Sequence, residues 1–103
     1  MANISCGGWS GTQDATKETQ KICDQVKAQV QKTTGNNYRV YVAVKYRNQI
    51  VAGVNFSIKV HVGGEDYIDL SVFQELLCNG GKAELRGVEQ HRTKDSPLEP
   101  FVN

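Results

Sequence analysis

Two runs of alternating apolar and polar residues, 38–48 and 54–62, constrain the fold of this chain most strongly. Alternation with a period of two is the pattern of a β-strand with one buried face. The five residues between the runs, 49–53, therefore predict the tip of a β-hairpin. Such tips are normally polar, but this one reads Gln-Ile-Val-Ala-Gly. An apolar tip indicates either a surface that a partner covers or the continuation of a buried strand.

Two further strand-like runs follow the hairpin, at residues 67–76 and 82–91, separated by a loop at 77–81. In the run 54–62 we expect the apolar side chains to point inward and the polar ones outward. The inward set is Val54, Phe56, Ile58, Val60 and Val62, and the outward set is Asn55, Ser57, Lys59 and His61. These runs predict an antiparallel meander with one covered face.

Residues 14–33 predict the helix that covers this face. Apolar side chains recur there at spacings of three and four, as in an amphipathic helix. Asp14 is the predicted N-cap, although Lys17 leaves a reciprocal capping box incomplete, and Gly35 is the predicted stop. The apolar stripe consists of Thr19, Ile22, Cys23, Val26 and Val30. The predicted class is α+β, with one N-terminal helix on an antiparallel sheet, in a single domain of residues 1–103.

Charge and composition argue against several kinds of partner and location. The net charge is +1, and the basic residues are interspersed with acidic ones, unlike the clustered basic surface of a nucleic-acid-binding protein. No apolar segment approaches the roughly 20 residues of a membrane span. Residues 1–11 lack the apolar core of a signal peptide, and the three cysteines, Cys6, Cys23 and Cys78, cannot complete a disulfide framework. We therefore expect a cytoplasmic protein with no nucleic-acid or membrane partner.

The residue types used in catalysis and metal binding occur without the spacing that such sites need. No C-x-x-C or H-x-x-x-H pattern occurs, and no glycine-rich loop precedes a helix. Cys23 lies on the core stripe, where a thiol is inert, and His61 falls on a solvent-facing position. Cys78 is the one plausible reactive thiol, and an enzyme that depended on it would lose activity on alkylation. We predict no enzyme activity, no catalytic residue, no metal and no cofactor.

The Gln-Ile-Val-Ala-Gly tip resembles the Q-x-V-x-G hairpin of the cystatin superfamily of cysteine-protease inhibitors. The surrounding sequence resembles the stefins, the single-domain intracellular branch, from about Cys6 to Phe101. The stefin-like segments are Cys6-Gly7, 18–20, 24–26, 54–63 and 72–74. The resemblance implies a cystatin-like sheet wrapped around the helix, and reversible, tight-binding, competitive inhibition of papain-like proteases of the cathepsin type.

The resemblance also implies a binding wedge built from three segments: an N-terminal trunk at Gly7 and Gly8, the first hairpin, and a second hairpin at Leu77 and Cys78. The wedge would fill the active-site cleft on both sides of the protease's cysteine. Because the trunk turns away before that cysteine, no peptide bond is held in position for attack. The implied protease-binding residues are Gly7, Gly8, Gln49, Ile50, Val51, Ala52, Gly53, Leu77 and Cys78.

Some features depart from the stefin pattern or stay open. Stefins have Leu-Pro in the second hairpin, whereas this chain has Leu76-Leu77, and losing the proline loosens the loop. Trp9 is either an additional interface anchor or an exposed mobile ring. Residues 1–13 alone would also suit a frayed terminus. The alternative function is a non-inhibitory protein-binding module on the same scaffold.

The apolar tip also predicts a second oligomeric state. Ile50 and Val51 are β-branched and resist the positive φ values of tight hairpins, so the turn is expected to be strained. Opening a strained hinge exchanges part of the structure between two chains. We expect an active monomer and, as the stefin resemblance implies, a domain-swapped dimer that does not inhibit.

Overall fold

Five strands form one antiparallel sheet in the computed structural model, which describes residues 8–101. The spatial order is β1-β2-β3-β4-β5. The strands are β1 Gln13–Asp14, β2 Val42–Val51, β3 Gly53–His61, β4 Tyr67–Gln74 and β5 Ala83–Arg92, and the helices are α1 Lys17–Gln25 and α2 Lys27–Thr34. The predicted α+β class and the antiparallel meander are confirmed.

The predicted helix is present as two consecutive helices that meet at Val26. Although Val26 has φ −100° and ψ 4°, its N–H donates to the Ile22 carbonyl, and the Val30 N–H donates to the Val26 carbonyl. Helical hydrogen bonding therefore continues through the junction. The predicted apolar stripe is buried throughout, and α2 ends at Gly35 with φ 75°, as expected.

The N-cap of α1 is Thr16, so the prediction of Asp14 was wrong. The Thr19 N–H donates to Thr16 Oγ1 over 3.3 Å, and the Thr16 N–H donates to Thr19 Oγ1 over 2.7 Å. These reciprocal bonds complete a capping box. Asp14 instead belongs to β1 and faces Lys45 of β2. A hydrogen bond from the Lys45 ammonium holds the pKa of the Asp14 carboxyl below its usual range.

We expect Thr16→Ala to lower the free energy of unfolding by about 1 kcal/mol, because the Thr19 N–H in the first turn loses its acceptor, Thr16 Oγ1. Asp14→Ala is the matched control, and its exposed ion pair should contribute less. Urea unfolding followed by circular dichroism measures both variants. A larger loss in Asp14→Ala would contradict the assignment of the cap.

The inner face of the sheet packs against both helices. On β3 the predicted inward residues Phe56, Ile58 and Val60 are buried in the core, while Val54 and Val62 are half-buried at its ends. On β2 the register shifts between Ala43 and Lys45. Such a bulge changes which side chains face the core, so one uninterrupted alternation does not describe this strand.

The outer face of the sheet is covered in part, which corrects the expectation that Ser57 and Lys59 face solvent. Both are buried, and the C-terminal segment, residues 93–101, covers Lys59. The Lys59 ammonium donates to the carbonyls of Thr93 and Ser96, over 2.7 and 2.9 Å, and to Ser96 Oγ, over 2.6 Å. This segment contains no helix or strand, yet it is held to the sheet by these three hydrogen bonds.

The buried ammonium of Lys59 is paired with Asp69 of the neighbouring strand, whose carboxylate is fully buried. Lys59 Nζ lies 3.7 Å from Asp69 Oδ1, and Arg92 Nε donates to Asp69 Oδ2 over 3.2 Å. Burial raises the pKa of Asp69 and lowers that of Lys59, while their mutual attraction opposes both shifts. The pair therefore ties the C-terminal segment to the middle of the sheet.

Candidate functional site

The tips of two hairpins lie side by side at one end of the sheet. β2 and β3 turn at Ala52, and Val54 near the start of β3 pairs with Gln74 at the end of β4. The second turn, which includes a 3₁₀ helix at Leu77–Asn79, therefore emerges beside the first. The N-terminal segment reaches the same end, because Trp9 pairs with Gln49. We call Gly8, residues 49–53, Leu77 and Cys78 the hairpin end.

Exposed apolar side chains are present on both turns of the hairpin end. Ile50 is 57% exposed on the first turn, and Leu77 is 91% exposed on the second. Cys78 is also exposed. The first tip is thus a true turn and not the continuation of a buried strand. Exposed apolar side chains on adjacent turns are typical of a surface that a partner covers.

Gly53 makes the first turn sterically feasible. Its φ is 126°, and a Cβ there would lie 2.6 Å from the Gln74 carbonyl oxygen and 2.6 Å from Phe73 Cζ. Ile50 and Val51 belong to β2, and within residues 8–101 the only non-glycine residue with positive φ is His91. The prediction of strain at Ile50 and Val51 was therefore wrong, because the unusual geometry falls on glycine.

The N-terminal segment is bound along β2 from Trp9 onward, so a frayed terminus does not describe residues 9–14. The Ser10 N–H donates to the Asn48 carbonyl over 2.8 Å, and the Asn48 N–H donates to Ser10 Oγ over 3.0 Å. Trp9 is half-buried and borders a cavity of about 380 Å³ that Phe101 also lines. Cys6 and Gly7, to which the sequence analysis gave weight, lie outside the described residues.

The described Cys and His side chains that were considered for catalysis or metal binding do not form one site. Cys23 is fully buried, and burial raises the pKa of its thiol to about 12, so the thiolate is scarce. The His61 ring lies 2.8 Å from the Gly64 carbonyl and packs against Tyr67. Within residues 8–101 no cluster of His, Cys, Asp and Glu is arranged to hold a metal ion. In the same part of the chain, no helix is long and apolar enough to cross a membrane.

Two residues that hold the N-terminal segment beside the hairpin end, Ser10 and Arg47, were not predicted from the sequence. Ser10 is hydrogen-bonded to Asn48 of β2, and Arg47 on the same strand donates to the Ser10 carbonyl from a half-buried side chain. Neither position belongs to an apolar pattern, so periodicity carries no signal for them. The alternation on β2 predicts only that the Arg47 side chain lies on the face of the sheet away from the core.

Comparisons with known proteins agree with this architecture. Residues 7–95 match the model of the cystatin domain family. The chain is 42% identical over 98 residues to cystatin-B of Homo sapiens, covering 95% of this chain and 100% of that protein. It is 43% identical over 96 residues to cystatin-B of Paralichthys olivaceus, covering 93% and 98%. For cystatin-B of Oplegnathus fasciatus the identity is 40% over 99 residues, covering 96% and 99%.

Proposed function

Because the chain belongs to the cystatin family, whose members are protease inhibitors and not enzymes, we propose that it is a reversible, tight-binding, competitive inhibitor of papain-like cysteine proteases of the cathepsin type. The observation that carries the proposal is the meeting of Gly8, the first hairpin tip and the second tip at one end of the sheet. A narrow apolar edge of this kind suits a cleft better than a flat partner surface.

In the proposed mechanism the two hairpin tips are buried in the protease's active-site cleft, and the inhibitor chain is not cleaved. Ile50, Val51 and Ala52 enter the cleft as a preformed turn, and Leu77 with Cys78 contacts the adjoining wall. β2 and β3 are paired up to Val51 and Gly53. The backbone of the tip therefore loses little conformational freedom on association. A standard interface of this class buries on the order of 1,600 Å² in total. The protease's cysteine meets no correctly held peptide bond, so the inhibitor is not cut.

The N-terminal trunk, residues 1–8, is proposed to occupy the cleft on the other side of the protease's cysteine. Gly8 is exposed, and a Cβ at this position would meet no atom within 4 Å. A glycine there lets the backbone approach a second surface closely. Gly7 is proposed to act in the same way, next to Gly8.

Steady-state inhibition of papain tests the proposal. We expect the apparent inhibition constant to rise linearly with substrate concentration, as for a competitive inhibitor. After incubation with a catalytic amount of papain, mass spectrometry should find the chain intact. A folded protein that leaves papain fully active would refute the proposal and favour a non-inhibitory binding module on the same scaffold. Inhibition lost on thiol alkylation of a Cys6→Ser chain would instead indicate a role for Cys78, because Cys23 is buried.

We expect Leu77→Asp to weaken papain inhibition about tenfold or more, because a charged group would be buried in the interface without a partner. Stability should be unchanged, since this side chain is 91% exposed. Val42→Asp is the matched control: Val42 is 50% exposed at the far end of β2, and its replacement should leave inhibition intact. Equal losses in both variants would contradict the assignment of the second hairpin.

We further propose that the protein acts in the cytoplasm as a monomer, and that its domain-swapped dimer is inactive. Joining β2 and β3 into one continuous strand would free Gly53 from its unusual backbone geometry and would remove the tip. Size-exclusion chromatography after partial unfolding at high concentration can isolate the dimer. A dimer that inhibited papain fully, at one site per chain, would contradict this assignment of the hinge.

A further inference from the structure

Ser10 fixes the point at which the chain leaves the sheet towards the trunk. It lies two residues after Gly8, and its backbone and side chain are all engaged. Besides its two bonds to Asn48, its carbonyl accepts a hydrogen bond from Arg47 Nε over 2.9 Å. The chain direction at Ser10 is therefore set by two residues of β2, through the backbone of Asn48 and the guanidinium of Arg47.

The same guanidinium binds the opposite end of the chain. Arg47 Nη1 donates to the Leu98 carbonyl over 3.1 Å. Because the guanidinium is planar and its donors have fixed directions, the carbonyl oxygens of Ser10 and Leu98 are held at a fixed separation. Arg47 is half-buried on the outer face of the sheet, where competing water is restricted. One side chain thus joins the N-terminal and C-terminal segments beside the hairpin end.

The C-terminal partner of this junction is itself rigidly placed. Leu98 is only 6% exposed, and the preceding carbonyl of Pro97 accepts a hydrogen bond from Arg92 over 2.9 Å. Further back, Lys59 binds the segment at Thr93 and Ser96. A continuous series of polar contacts therefore leads from the buried ion pair to the base of the trunk.

We infer that Arg47 is a positioning residue for the trunk, and that it couples the placement of the C-terminal segment to binding of the trunk. The inference rests on the proposed function for its effect on inhibition. Its physical basis is ordering: a trunk whose base is held in one direction loses less conformational freedom on binding. When the base is released, the trunk contacts form less often and the complex dissociates faster.

A double-mutant cycle tests the inference through papain dissociation rates. The four proteins are the wild type, Arg47→Ala, the chain lacking residues 1–8, and the combination. With the trunk present, Arg47→Ala should speed dissociation about fivefold, whereas with the trunk deleted the effect should fall below about 1.5-fold. A purely structural role would give the same change with and without the trunk, and would overturn the inference. Arg39→Ala, which removes an exposed arginine before β2, is the matched control and should change neither rate.

Amide hydrogen exchange of the free protein separates this inference from the proposed function. In Arg47→Ala the Ser10 amide should exchange about tenfold faster, while the amide of Ile58 in the buried β3 should be unchanged. Arg47→Lys keeps the charge but lacks the two-pronged geometry, so its effect should be intermediate. Unchanged exchange at Ser10 would overturn the inference even if papain is inhibited. If the Ser10 amide exchanges faster in Arg47→Ala but the wild-type protein does not inhibit papain, the positioning role of Arg47 is supported and only the proposed function is refuted.

Discussion

Gly53→Ala is expected to lower the free energy of unfolding by about 2–3 kcal/mol and to remove most of the proposed inhibition. The added methyl group would lie 2.6 Å from the Gln74 carbonyl oxygen, and the backbone φ of 126° is one that side chains rarely adopt. The neighbouring oxygen belongs to the backbone of β4, so it cannot rotate away. The first tip must then shift relative to the second, and the hairpin end loses its shape.

Urea unfolding and papain inhibition measure this effect together. The matched control is Gly11→Ala, because a Cβ at Gly11 meets no atom within 4 Å and its φ is not in the left-handed region. This control should retain stability within about 0.5 kcal/mol and full inhibition. A Gly53→Ala protein that unfolds like the wild type and inhibits fully would contradict the close packing of the two turns.

Lys59→Met is expected to cost about 3 kcal/mol of stability, although methionine keeps most of the side-chain volume. The substitution removes three hydrogen bonds to the C-terminal segment and leaves the buried Asp69 carboxylate with Arg92 alone. Breaking one side of a buried ion pair is costly because the remaining charge loses its compensation. Residues 93–101 should consequently separate from the sheet.

Two measurements report on Lys59→Met: urea unfolding gives the stability, and the rate of trypsin cleavage after Lys94 reports release of the segment. Lys45→Met is the matched control, since Lys45 faces Lys59 across the strands but its side chain is 48% exposed, against 3% for Lys59. The control should leave both measurements close to wild type. Equal losses in the two variants would show that the Lys59 contacts contribute little to stability.

The sequence predicted those parts of the fold that repeat along the chain. Alternation identified the inner face of β3 because every second side chain there enters the core. Spacings of three and four identified the helical stripe for the same reason. The cap was missed because Asp14 and Thr16 are both suitable residue types. The choice between them depends on the pairing of β1 with β2, a contact between residues far apart in sequence.

The sequence did not predict the burial of the outer face. Lys59 occupies a polar position of an alternating strand, and only the C-terminal segment removes it from water. That segment has no periodic pattern of apolar residues. Its contacts are made mostly by backbone carbonyls, which a residue pattern cannot predict. Likewise, the expected strain at Ile50 and Val51 was wrong because the position of a turn within five residues depends on strand register.

The candidate site was located by family resemblance more than by physical pattern. The apolar tip at 49–53 is unusual enough to indicate a partner surface, but Leu77 and Cys78 carry no such signal in the sequence alone. The structure brings the two turns together through the pairing of Val54 with Gln74. Their role in binding a protease remains our proposal, as does the role of Gly7 in the trunk.

A hydrogen-exchange footprint of the protein bound to papain tests most directly whether the hairpin end is the protease-binding surface. In the saturated complex we predict slower exchange at Gly8, at residues 50–53 and at Leu77–Asn79. Amides of α1, α2 and the C-terminal segment should exchange as in the free protein. Protection confined to the helices or to the C-terminal segment, with both tips exchanging at their free rates, would contradict the account.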